Sequence, residues 1–81
     1  MSGLDELRVA LDGVDLRLIE ALATRQDLVR EITALKAGSE TPLRDRAREE
    51  EILTRLGDRG ADAGLDRHFV TRIFHEVLEQ S

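Results

Sequence analysis

The chain has 81 residues and a mass of 9.1 kDa, with 41% hydrophobic and 36% charged residues. That leaves room for one domain, is too apolar for a disordered chain, and offers no run near the ~18 apolar residues that a membrane span needs. A net charge of −5 and a pI near 4.9 argue against nucleic acid and anionic membrane as partners, and the absence of cysteine excludes disulfides and thiolate metal sites.

His68 and His75 are too few for a zinc site, and one proline with two aromatics (Phe69 and Phe74) disfavours a β-rich fold. Met1-Ser2-Gly3-Leu4-Asp5-Glu6 has neither the basic nor the apolar stretch of a secretory signal. The expectation is a single cytoplasmic, all-α domain over residues 1–81 that uses no metal and no cofactor. Breaker clusters at Gly38-Ser39-Glu40-Thr41-Pro42 and at 57–64 divide it into three helices, roughly 4–37, 45–60 and 66–81. Asp45 and Asp66 are placed to cap the second and third helices, and Gly38 to close the first in the left-handed conformation. Gly57 leaves two readings for the second helix, fraying there or running on towards Gly64.

The first helix is longer than its own domain. About 34 residues at ~1.5 Å each make a rod of about 50 Å, whereas a compact chain of this size is roughly 30 Å across. No Pro or Gly lies between Val14 and Lys36, so only Gly13 offers a place to break. The apolar face of such a rod needs a second chain to cover it, most simply in an intertwined homodimer.

That face has an unusual composition. Arg8, Leu11, Asp15, Leu18, Leu22, Arg25, Val29, Ile32 and Lys36 follow one another at alternating steps of three and four, with Leu4, Leu7, Val14, Leu28 and Leu35 alongside. Cations in a seam are costly to bury unless an anion meets them, although long basic side chains can also reach out to water. Arg25 and Lys36, eleven residues apart, point the same way with their Cα atoms about 16 Å apart along the axis. Their side chains, leaning together, leave a gap the size of a small dianion. Arg8 is about 25 Å from Arg25 on the same rod, too far to share that gap, but an antiparallel partner could return its own Arg8 there. The seam reads as a pocket for a small molecule with at least two negative groups, shared between chains.

The second helix opens with Arg44, Asp45, Arg46, Arg48 and Glu49. Arg44 and Arg46 read as a solvated face, whereas Arg48 and Glu49 share rows with Ile52, Leu53 and Leu56. On the third helix Phe69, Val70, Ile73, Phe74, Val77 and Leu78 form an apolar face of helical period and read as core. No nucleophile triad, phosphate-cradling glycine loop or basic-aromatic patch is present in the sequence.

Taken in order, Leu7-Arg8-x-x-Leu11-Asp12-x-Val14-Asp15-x-x-Leu18-Ile19-x-x-Leu22-x-x-Arg25, Ile32-x-x-Leu35-Lys36, Pro42-Leu43-Arg44-Asp45-x-x-Arg48-Glu49, Gly64-Leu65-Asp66 and Ile73-Phe74-x-x-Val77-Leu78-x-x-Ser81 resemble the all-helical class of chorismate mutases over nearly the whole chain. The resemblance implies a three-helix protomer in an interlocked homodimer, with sites lined by both chains and chorismate, a dianion, as substrate. It implies that Arg25 pairs with one substrate carboxylate, that Arg8 crosses from the other protomer to the second, and that Lys36 hydrogen-bonds the ether oxygen of the breaking bond and a carboxylate. It likewise implies Asp45 and Arg48 at the mouth of the site, Glu49 on the ring hydroxyl and Ser81 near a carboxylate. Gln80 is out of register for the glutamine that the family carries about one turn beyond that serine.

A pericyclic rearrangement of chorismate to prephenate needs no nucleophile, metal or acid–base pair, which suits this residue set. Two rivals remain at this level. One is a related activity on the same fold, isochorismate pyruvate lyase or 4-amino-4-deoxychorismate mutase. The other is a non-catalytic helical dimerisation or regulatory module.

Overall fold

The computed structural model describes residues 2–39 and 44–81. Glu40, Thr41, Pro42 and Leu43, which hold most of the first expected break, lie outside the described residues, as does Met1. All regular structure among the described residues is helical, in the order α1 (Gly3–Lys36), α2 (Arg46–Asp62) and α3 (Arg67–Glu79). The all-α, three-helix expectation with one long N-terminal helix therefore holds. The chain falls into two compact units, residues 1–37 and 38–81.

The first unit is α1, one unbroken helix of 34 residues, about 51 Å long at 1.5 Å per residue. Ser2 starts it: its Oγ accepts from the Asp5 backbone N–H at 3.2 Å, and Asp5 and Glu6 place negative charge against the positive end of the helix dipole. The sequence reading did not name that cap. Gly13 does not interrupt the helix. Ala37 caps the C-terminus, its N–H donating to the Thr33 carbonyl at 3.0 Å, and Gly38 follows at φ +79°, the left-handed closure expected there. No residue of α1 is buried.

The second unit is an antiparallel hairpin of α2 and α3. Asp45 caps α2 by accepting from the Arg48 N–H at 3.1 Å, and Asp66 caps α3 by accepting from the Phe69 N–H at 3.2 Å, both as expected. The turn between them is a Schellman motif. Gly64, at φ +86°, donates to the Ala61 carbonyl at 3.0 Å, and Leu65 donates to the Gly60 carbonyl at 2.9 Å.

Of the two readings offered for Gly57, the structure takes the second: α2 passes through Gly57 and Gly60 to Asp62. Both glycines are buried, and they are where α3 comes closest. A Cβ on Gly60 would lie 2.5 Å from Val70 Cγ2, and one on Gly57 would lie 3.0 Å from Thr71 Cγ2. Close packing thus outweighs the roughly 0.5–1 kcal/mol that each mid-helix glycine costs relative to alanine.

The core reading of α3 holds only in part. Val70, at 6% exposure, is the one buried hydrophobic residue among those described, while Phe74, Val77 and Leu78 are half-buried and Phe69 and Ile73 exposed. The narrow glycine-lined contact seals one row of the apolar face and leaves its flanks open.

Candidate functional site

Each unit carries its own share of the expected site. On α1, Arg8, Arg25 and Lys36 lie on one helical face with Leu11, Leu18, Leu22, Val29 and Ile32. Arg25 and Lys36 are half-buried, and so is Val29 between them, whereas Arg8 is exposed. The leucines of this face are open. Leu7 is 70% exposed, Leu18 58% and Leu22 48%. Within the first unit the helix is thus an apolar stripe that also holds cations.

In the hairpin, Asp45, Arg48 and Glu49 come together at the N-terminus of α2. The Asp45 carboxylate is engaged as the helix cap, which fixes its position against the Arg48 main chain. Glu49 lies one turn in, with its N–H donating to the Asp45 carbonyl at 3.0 Å. Just beyond the end of α3 the Ser81 hydroxyl donates to the Val77 carbonyl at 2.9 Å.

The Glu49 carboxylate does not stand by itself. Arg44, just ahead of the cap, grips it with a fork: Nε donates to Oε2 at 2.9 Å and to Oε1 at 3.1 Å, and Nη2 donates to Oε1 at 2.9 Å. The same Nη2 donates to Oε1 of Glu79, the last residue of α3, at 2.6 Å. One guanidinium therefore ties the start of α2 to the end of α3. The hydrogen bond that Glu79 accepts, followed by those that Glu49 accepts, holds the Arg44 guanidinium charged far above its ordinary range. In turn the Arg44 hydrogen bond, then its charge, holds the Glu79 carboxyl below the usual carboxylate range.

Sequence reasoning treated Arg44 as solvated surface and did not single out Glu79. Arg44 and Glu49 are five apart across a helix start, outside the i, i+3 and i, i+4 spacings that mark a pair on a formed helix, and Glu79 is 35 residues from Arg44. A second inter-helix ion pair, Arg67 with Asp58, joins the helices near the turn. Among the described residues no group of three or more His, Asp or Glu side chains converges to hold a metal, and no helix is long and apolar enough to cross a membrane.

Comparison with known proteins gives this arrangement a context. The family model "Chorismate mutase type II" matches residues 7–81. The chain is 37% identical over 75 residues to a bifunctional chorismate mutase/prephenate dehydratase of Escherichia coli K12, covering 93% of this chain and 19% of that protein. The same figures hold for the protein of that name from Enterobacter agglomerans. It is also 31% identical over 77 residues to an isochorismate pyruvate lyase of Pseudomonas aeruginosa, covering 95% of this chain and 75% of the relative. The chain thus spans about a fifth of the length of the bifunctional relatives it matches.

Proposed function

The chain belongs to the chorismate mutase type II family, and from that membership we propose that it converts chorismate to prephenate at a site shared by two copies of the chain. The observation that carries this reading is the single face of α1 on which half-buried Arg25 and Lys36 lie among exposed leucines. A second copy supplies the cover, and a dianion is the ligand that two cations on one enclosed apolar face would take.

In the reaction the ether C–O bond breaks as a new C–C bond forms within one molecule, so no proton, electron or leaving group is exchanged with the protein. The barrier lies in holding a compact diaxial conformer and in stabilising the negative charge that gathers on the ether oxygen. Arg25 takes one carboxylate and Arg8 of the second copy takes the other, which fixes the conformer and removes orientational freedom in advance. Lys36 donates to the ether oxygen and a carboxylate. Because that charge is largest in the transition state, the contact lowers the barrier and not merely the ground state. Asp45 and Arg48 flank the mouth, Glu49 accepts from the ring hydroxyl, and Ser81 approaches a carboxylate.

A second reading rests on the lyase from Pseudomonas aeruginosa, since this chain covers three-quarters of that protein. It differs in the compound consumed and in the product: isochorismate would yield salicylate and pyruvate. Incubating the purified protein with chorismate and, separately, with isochorismate, and identifying the products by chromatography, decides between them. Prephenate from chorismate is the expected result, and a protein that leaves chorismate unchanged defeats the proposal. Lys36→Ala should lower kcat by roughly 10²–10³, the loss of one transition-state donor worth about 3–4 kcal/mol, with the helical circular-dichroism spectrum unchanged. Undiminished turnover in that variant removes Lys36 from the mechanism.

A further inference from the structure

We propose that Arg44 is a positioning residue, which presents Glu49 to the substrate as a fixed acceptor and is itself set by Glu79 at the far end of α3. The proposal rests on the reading above, in which Glu49 meets the ring hydroxyl.

The geometry is more specific than a surface ion pair requires. A glutamate side chain turns about three bonds, and a single point contact would leave the plane of its carboxylate undefined. The fork from Nε and Nη2 defines that plane, as a guanidinium does and an ammonium does not. Oε1 accepts two of the three bonds from Arg44 and Oε2 only one, at 2.9 Å. An ionised carboxylate oxygen has two lone-pair directions, so Oε2 keeps one for a hydroxyl donor. Energetically the pairing is a poor reason for the arrangement: the Arg44 and Glu79 side chains are 39% and 41% exposed, where ion pairs add little to stability. What the clasp supplies is orientation.

The link to α3 makes that orientation depend on the hairpin as a whole. Arg44 precedes α2 and has no helical backbone of its own to hold it. Its Nη2 is anchored by Glu79, whose other charged neighbours are His75 on α3 and Arg46 on α2. A substrate group meeting Glu49 is thus read by an acceptor whose direction is set by both helices, and a carbonyl or ether in place of the hydroxyl would face an ionised oxygen with no donor to offer.

The test uses the full chain with Arg44→Gln and Arg44→Lys. With chorismate as substrate, Arg44→Gln should raise KM by about 10-fold while kcat stays within a few-fold, the pattern of a lost interaction common to ground and transition states. Arg44→Lys should recover KM only in part, since it keeps the charge but lacks the fork. A merely structural Arg44 would give no such split between KM and kcat, and an unchanged KM in Arg44→Gln overturns the proposal. A substrate-free measurement separates this from the functional reading: carbon-13 relaxation of the Glu49 side-chain methylenes should show the ordered wild-type side chain become mobile in Arg44→Gln. If the wild-type chain fails to turn over chorismate, the reading of the previous subsection falls. Unchanged Glu49 side-chain order then overturns the clasp as well, and lost order upholds it.

Discussion

The α2–α3 hairpin and the long helix α1 solve the same problem in opposite ways. The hairpin brings its own partner: glycines on one helix admit the other to within contact of Val70, and caps close both starts. α1 is capped as carefully, yet none of its residues is buried and its leucines are open. Along one face Arg8, Asp15, Arg25 and Lys36 interrupt a run of apolar positions, the pattern that the proposed second copy would cover. In the proposed function the hairpin keeps its own local order, and α1 gains stability and ligand binding together when a second copy is laid on it.

The largest effect expected from this contrast comes from charging the open face. Leu18 lies at its centre, and Leu18→Glu places an anion where the proposed second copy would exclude water. Sedimentation should show the wild type as a dimer and the variant as a monomer, and turnover should disappear with the dimer, because Arg8 would no longer reach the site of its neighbour. A monomeric variant that retains full activity would refute the shared site and leave α1 to act within its own chain.

A smaller and sharper comparison sets one glycine of each unit against the other. In α2, a methyl on Gly60 would lie 2.5 Å from Val70 Cγ2 and 3.1 Å from its Cβ and Cγ1, so the helices must part. Gly60→Ala should destabilise the chain by about 1–3 kcal/mol in denaturant unfolding, the usual cost of overpacking. In α1, a methyl on Gly13 meets only the Arg17 guanidinium, at 3.7 Å. Gly13→Ala should stabilise by about 0.5–1 kcal/mol, through helix propensity and a less free unfolded chain. The same substitution is thus expected to change sign between the two units, and equal effects would mean that the hairpin contact is not where these distances put it.

What could be read from the sequence divides along a physical line. Asp45, Asp66 and Gly38 were legible because a cap is a local event, decided within four residues by a side-chain oxygen or a positive φ. The length of α1 and the alignment of Arg25 with Lys36 follow from the helix repeat alone. Gly57 was ambiguous because its propensity argues for a break, whereas the reason it does not break lies on α3, in Arg67 and Thr71. Arg44 is exposed as expected, but its pairing was missed for the same reason. Its spacing from Glu49 matches no helical rule, and its second partner comes from the last turn of another helix. The half-exposed flank of α3, Phe69 and Ile73, marks the same boundary: a period of 3.6 identifies a face, but the width of the opposing contact decides how much of it is covered.

The gentlest test concerns pH. Glu79 has its carboxyl lowered below the ordinary 4.5, first by the Arg44 hydrogen bond and then by its charge. A carboxylate depressed in the folded state adds stability above its unfolded pKa, and that contribution is lost as pH falls through the lower folded value. The difference in denaturant midpoint between wild type and Glu79→Gln should therefore be constant at neutral pH, begin to shrink below about pH 4.5, and vanish in stronger acid, where a protonated glutamate and a glutamine are equivalent. The group is exposed, so added salt should also shrink the difference. Amide exchange gives the contrast between the units its finest reading: Glu79→Gln should speed exchange in the last turn of α3 at neutral pH and leave α1 as it was. Faster exchange in α1 as well would show that the hairpin clasp is felt beyond its own unit.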